Sequence, residues 1–327
     1  MLRRTILPVL FLAACASLQA DVTMRMSMVM KINMAVPAAV PQLPFNEVLT
    51  RIKGDHGIST MGSFTTVTDI SRDEITLIDN DGQRYAIIPM ADYLAKSQAA
   101  GGASMQNLPD QAKQMLANVK IDVASHDTGR TDRIAGIDAF EHEVDVNMSI
   151  PVPIPGQENG LQMNFRFHTW KPKPGETERV PALRELAAYN DRNQGFNNPM
   201  NMMRQMFSAM PGMSEGAGKI ADEMKKGGSV IIGMEMGIFM PGLAKMMEQV
   251  RAGGAKVPDI PSGDTPLAEM HMDLKELSTD PVAAGVFTIP AGYKEASADD
   301  LMKGLLAAFT GGKPSQAPPS PVDSPKK

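Results

Sequence analysis

The sequence predicts an α+β protein in which one antiparallel β-sheet is covered by helices on a single face. Three observations predict it. Val22–Met34 alternates between apolar and polar side chains, the period of a half-buried strand. Val48–Ile88 packs short β-rich runs between tight turns, the text of a meander. Phe140–Ile150 and Leu161–Thr169 each carry one apolar and one polar side, as an antiparallel sheet does when one face is wet.

In the leading strand Met24, Met26, Met28, Met30, Ile32 and Met34 face one way, and Thr23, Arg25, Ser27, Val29, Lys31 and Asn33 the other. Pro37, Pro41 and Pro44 then mark a loop. Strands are expected at Val48–Lys53, Ile58–Gly62, Thr65–Ile70, Glu74–Ile78 and Arg84–Ile88, with a hairpin turn at Asp79-Asn80-Asp81-Gly82 because Asn and Gly tolerate positive φ. Ala91–Asn118 reads as two helical pieces split by Gly101-Gly102. Lys120–His126 is a strand followed by a turn and Ile134-Ala135-Gly136. Phe140, His142, Val144, Val146, Met148 and Ile150 share a face, as do Leu161, Met163, Phe165 and Phe167.

Pro181 opens a helix over Val180–Asn190, and Asn198-Pro199 caps another that ends at Pro211-Gly212, with Met203, Met206, Phe207 and Met210 on one side. Ser229–Phe239 reads as a buried strand, and a helix that starts at Pro241 and ends before Gly253-Gly254 presents Leu243, Met246, Met247 and Val250. Ala268–Leu274, with Met270, Met272 and Leu274 inward, and Val286–Ile289 are the last expected strands. Ser297 caps a final helix over Ala298–Phe309 with Leu301, Leu305 and Phe309 inward. The expected organisation is a leader over 1–20, one β-rich domain over 21–296 with a Met-rich insertion near 191–228, a helix over 297–310, and a disordered Pro/Ser-rich tail over 311–327.

The leader begins with Arg3 and Arg4, continues with the apolar run Ile6–Ala14 and ends in small residues. That order marks a secretory signal, and the run is shorter than the roughly 20 residues that span a bilayer. Two cleavage readings compete. Leu12-Ala13-Ala14-Cys15 is similar to a lipobox, in which Cys15 is acylated and membrane-anchored, although fourteen preceding residues are few for one. Leu18-Gln19-Ala20 precedes ordinary cleavage at Asp21, although Leu18 is large for its position. Either way the expected location is the periplasm or the exterior, and no cysteine remains for a disulfide or a thiol nucleophile.

The chain has 327 residues, 43% hydrophobic and 21% charged, with a net charge of −5. Loss of Arg3 and Arg4 with the leader takes −5 to −7. An acidic chain without Lys/Arg clusters argues against nucleic acid as a partner. Methionine is abundant, at 27 residues, whereas aromatics make up 5%.

Gly54-Asp55, Thr66-Val67-Thr68-Asp69, Tyr85-Ala86-Ile87-Ile88-Pro89, Ile134-Ala135-Gly136, Phe167-His168-Thr169-Trp170 and Phe287-Thr288-Ile289-Pro290-Ala291-Gly292-Tyr293 follow one another along the chain. Over Val22–Tyr293 this text resembles a family of secreted bacterial proteins related to the lipoprotein-carrier superfamily of LolA and LolB. The resemblance implies a strongly curved, open antiparallel half-barrel whose concave face is covered by helices and holds acyl chains. No single binding residue is carried over from it.

The methionines admit two chemistries. Thioethers are soft ligands for Cu(I), and Met24-x-Met26-x-Met28-x-Met30, Met200-x-Met202-Met203 and Met270-His271-Met272 could serve as ligands. Methionine is also the flexible filler of apolar faces, and here it recurs at strand and helix periods. The second reading is favoured. It expects a non-enzymatic envelope protein that binds a lipid or lipoprotein acyl chain, with no cofactor. Met24, Met26, Met28, Met30, Phe165 and Phe167 would line the sheet, and Met203, Met206 and Met210 the lid. A methionine-based copper protein is the alternative, and a structural or interaction protein with a filled core is the third. Gly212-Met213-Ser214-Glu215-Gly216 spells G-x-S-x-G without the preceding strand a nucleophile elbow needs. The five histidines lack zinc spacing. His142 is expected as a hydrogen-bonded core residue, and His271 on a solvated face with Glu269 and Asp273.

Overall fold

A computed structural model of the chain describes residues 20–33, 46–93, 95–96, 118–151, 160–193, 218–220, 222–223, 226, 228–254, 263 and 265–309. The methionine strand forms as expected, as β1 (Val22–Ile32). It is followed by β2 (Glu47–Lys53), β3 (His56–Met61), β4 (Phe64–Asp69), β5 (Glu74–Asp79) and β6 (Arg84–Pro89). Then come β7 (Lys120–Ile134), β8 (Ile137–Ile150) and β9 (Leu161–Pro172), helices α1 (Glu176–Arg179) and α2 (Pro181–Arg192), and β10 (Gly233–Phe239). Helix α3 (Leu243–Ala252), β11 (Ala268–Ser278), β12 (Lys294–Glu295) and α4 (Ala298–Phe309) complete the order.

All twelve strands join one open sheet, in the order β12-β6-β5-β4-β3-β2-β1-β11-β10-β9-β8-β7. From β1 the chain meanders outward to β6. It then crosses to the far edge and returns through β7–β11, so β11 pairs with β1. The sheet is mixed rather than wholly antiparallel: Lys294 and Glu295 run parallel to Arg84 and Tyr85, closing the edge that the meander leaves.

Pairing register fixes which side chains share a face. Val22, Met24 and Met26 oppose Ile52, Thr50 and Val48, and Ile52 opposes Gly57. On this face a Cβ at Gly57 would lie 2.0 Å from the Tyr189 hydroxyl, so glycine there lets α2 settle on the sheet. Leu183, Leu186 and Tyr189 of α2 accordingly share one core with Val22, Met26, Ile52, Phe165 and Phe167. Helix α4 packs on the same face further along, Leu301 and Met302 meeting Ile75, Leu77, Ala86 and Ile88.

The expected strand Val286–Ile289 is instead a 3-10 helix over Ala284–Phe287. The apolar run is only a few residues long, and its pattern is compatible with either period. It lays Val286 and Phe287 on the other face of the sheet, against Ile58, Val67 and Ile78. The turn after Asp79 forms, but the positive φ falls on Gln83, at 49°. Gly82 is needed for space: its amide donates to Asp79 Oδ1 at 2.9 Å, and a Cβ would sit 2.4 Å from Asp79 Oδ2.

Strand β7 runs eight residues beyond the expected His126, to Ile134, because the text at Thr128-Gly129-Arg130 is a bulge and not a turn. Pairing with β8 jumps from Asp127 to Thr131, and Gly129 has a φ of +77°. Residues 90–93 and 95–96 are helical; the rest of the expected Ala91–Asn118 pair is not described except for Asn118. The leader with Cys15, Met34, the segment holding Met203, Met206, Met210 and Gly212–Gly216, and the tail lie outside the described residues.

Candidate functional site

The strand alternation aligns methionines from three segments. One row crosses the sheet as Met28–Met272–Met234–Thr169–His142–Asp127. The next runs Met30–Met270–Met236–Phe167–Val144–Ser125, and a third Ile32–Ala268–Ile238–Phe165–Val146–Val123. Met26, Met28, Met234 and Met272 are buried, as are Phe165 and Phe167. Met24, Met236 and Met270 are half-buried, and Met30 is 40% exposed. The apolar face therefore grades from a closed core at one end to open thioethers at the other.

All six sheet residues expected from the sequence thus lie on one face. Met234 and Met236 belong with them and were hidden, because Gly233 and Gly237 interrupt the alternation of their strand. The proposed lid residues Met203, Met206 and Met210 and the acylation candidate Cys15 are not among the described residues. Met270-His271-Met272 does not converge on a point: the imidazole leaves the opposite side of β11 from the two thioethers.

The first row ends in an ionic cluster in which His142 and Lys171 are buried and Asp127 is exposed. His142, 4% exposed, bonds through Nδ1 to Asp127 Oδ1 at 2.7 Å, as expected for a hydrogen-bonded core histidine on that side. Its Nε2 is buried with no hydrogen-bond partner among the described residues. Two residues beyond Thr169 on the same face, Lys171 is 0% exposed, and its ammonium donates to the Lys226 carbonyl. Ser125 and Lys226 both donate to Glu223, which holds that carboxyl below its usual range, Lys226 contributing most. Nothing in the sequence period marked Lys171, which ends an apolar strand like any solvated lysine.

Burial pushes the Lys171 amine down from 10.5 to about 8, against the attraction of Asp127. Between those two values the unfolded chain keeps a proton that the folded chain has shed. Stability from this group therefore rises with pH across that window, by about 3 kcal/mol at about 1.4 kcal/mol per unit. Urea unfolding at pH 7.5 and 10 reads it: the wild-type gain over Lys171→Met should appear as a slope difference. Parallel pH profiles for the two proteins would contradict it.

The opposite face is ionic. His126, Glu143, His168, Glu235 and His271 form one row across β7–β11. His168 Nδ1 lies 3.3 Å from Glu143 Oε2, and His271 lies 3.9 Å from Glu235 and 3.6 Å from Glu269 through its two nitrogens. A cleft of about 240 Å³ opens here over Gly237, walled by Phe239, His168 and His271. Among the described residues no group of three or more His, Cys, Asp or Glu is placed to hold a metal ion. Beside this row Glu141 is 1% exposed and is met by Arg130 Nη1 at 2.8 Å and Thr128 Oγ1 at 2.7 Å, both carried by the β7 bulge.

Among the described residues no helix is long and apolar enough to cross a membrane. No protein-family model and no curated protein matches the chain. Fold and site define a class by themselves: an open-sheet α+β protein with a methionine-lined apolar face on one side and an ionic face on the other.

Proposed function

We propose that the chain is a non-enzymatic protein of the bacterial cell envelope that binds an apolar ligand, a lipid or lipoprotein acyl chain, on its methionine-lined face. The observation that carries this reading is the alignment of Met30, Met270 and Met236 on neighbouring strands, ahead of buried Phe167 and with graded exposure. A flexible, polarizable lining accepts acyl chains of varied shape, and affinity comes from removing apolar surface from water. The leader Met1–Ala20 supports the envelope address, through free secretion or through acylation of Cys15. On this reading the sheet curls into an open half-barrel around the face, with helices covering the concave side and Met203, Met206 and Met210 in the lid.

The test is native mass spectrometry of the mature protein purified from a bacterial envelope, followed by organic extraction. Added mass that passes into solvent as lipid supports the proposal. Added mass equal to copper that survives extraction overturns it in favour of thioether ligation. Protein without any added mass overturns it in favour of a filled core.

A further inference from the structure

A second cleft opens on the ionic face, across the sheet from the methionines. Its floor continues one row of paired residues, Val67–Ile58–Arg51–Thr23–Ser278, on β4, β3, β2, β1 and β11. Val286 and Phe287 of the 3-10 turn pack on the Val67 and Ile58 end. Beyond them about 320 Å³ stands open over Arg51, Thr23 and Ser278, with Val286 on one side and Asp280–Ala283 on the other. The second wall is clamped to β2. Asp21 Oδ2 accepts from the Val282 amide at 2.7 Å and from the Lys53 ammonium at 2.6 Å, and Lys53 also donates to the Val282 carbonyl at 2.9 Å. We infer that this cleft binds a small zwitterion, a phosphodiester joined to a primary ammonium, with the phosphate on Arg51 and the ammonium on Asp280. The site does not rest on the apolar-ligand reading, since it lies on the opposite face.

The charges lining the cleft select that ligand. Arg25 is held by Glu47 at 2.7 Å and by Glu276 at 3.1 Å, so these three are committed to one another. Arg51 is half-buried, and its guanidinium has no hydrogen-bond or ion-pair partner among the described residues. The carboxylate of Asp280 has none among them either. One cation and one anion thus share a cleft without pairing. A simple anion would leave Asp280 unmatched, and a simple cation would leave Arg51 so; a zwitterion meets both. The guanidinium fork fits phosphate oxygens, and the Thr23 and Ser278 hydroxyls follow Arg51 along the row at about 5 Å per strand. Arg51 stands on β2, and Asp280 follows β11, two strand spacings or about 10 Å away. The ligand's charges must therefore be several bonds apart, as in a phosphoethanolamine and unlike an α-amino acid. The volume lies at the low end of ligand pockets, about 300–1,000 Å³, and suits a head group rather than a whole lipid.

The probe is glycerophosphoethanolamine, titrated calorimetrically into the full mature chain, against glycerol 3-phosphate, ethanolamine and alanine. It should bind about tenfold tighter than each of the three, the worth of one further charged hydrogen bond. Arg51→Met and Asp280→Asn should each weaken it about tenfold. Neither side chain has an ion pair to lose, so both variants should unfold at the wild-type temperature. Flotation with vesicles of equal parts phosphatidylethanolamine and phosphatidylglycerol separates the two sources of the group. Vesicle binding that both variants weaken assigns it to a membrane lipid; binding of the soluble compound alone assigns it to a free ligand. Non-specific electrostatics would instead make Asp280→Asn bind these anionic vesicles better. Equal affinity for glycerol 3-phosphate or alanine overturns the zwitterion. Failure of the compound to bind, free or in vesicles, or binding that neither variant changes, overturns the cleft as its site.

Discussion

Phe167→Ala is expected to cost about 3–5 kcal/mol of folding stability, the range for truncating a buried phenylalanine. Phe167 is 0% exposed and stands at the junction of the two halves of the face, between Met236 of β10 and Val144 of β8. Val144 is itself fully buried, and the core continues to Leu183 and Leu186 of α2. A cavity there has walls fixed by two backbone ladders and cannot collapse cheaply. Against total stabilities of about 5–15 kcal/mol, that is a large share of what holds a domain folded. Urea unfolding measures the loss directly. A loss below about 1 kcal/mol would mean that the ring is not a core residue.

Arg130→Met should cost about 2–4 kcal/mol, because it strands a buried carboxylate. Glu141 is 1% exposed and depends on Arg130 Nη1 at 2.8 Å and on Thr128 at 2.7 Å. Arg130 is itself partly exposed and lies 5.4 Å over the Trp170 ring, so methionine retains some of the packing while removing the charge. Adding Glu141→Gln to Arg130→Met should recover more than half of the loss, since a neutral amide is cheaper to bury than an unpaired anion. An additive double variant, no better than the sum of its parts, would show that the carboxylate draws its stability from elsewhere.

These two sites show what sequence could and could not deliver. Phe167 was legible because strand alternation depends only on neighbours two residues apart. The same period exposed β1, β8 and β9 and placed His142 on the apolar side. Arg130 and Glu141 were opaque, because their pairing needs a bulge that shifts register, and Thr128-Gly129 reads equally well as a turn. Lys171 was opaque for a related reason: a lysine after Trp170 looks like the solvated end of a strand, and its burial and its bond to the Lys226 carbonyl come from tertiary contacts. Met234 and Met236 were obscured by the glycines on either side. The 3-10 helix at Ala284–Phe287 was misread as a strand, since a short apolar run carries no period of its own. The sheet order was out of reach altogether, because it rests on β11 returning to β1 across more than 230 residues.

Methionine oxidation mapping tests the ligand face most directly. Hydrogen peroxide converts accessible thioethers to sulfoxides, and peptide mass spectrometry reports each residue separately. In delipidated protein Met30, Met236 and Met270 should oxidise well before Met26, Met28, Met234 and Met272, following their exposure. Saturating palmitate should slow the first three at least fivefold and leave the buried four unchanged. Unchanged rates at Met30, Met236 and Met270, with ligand bound, would place the ligand elsewhere and contradict the methionine face as its site.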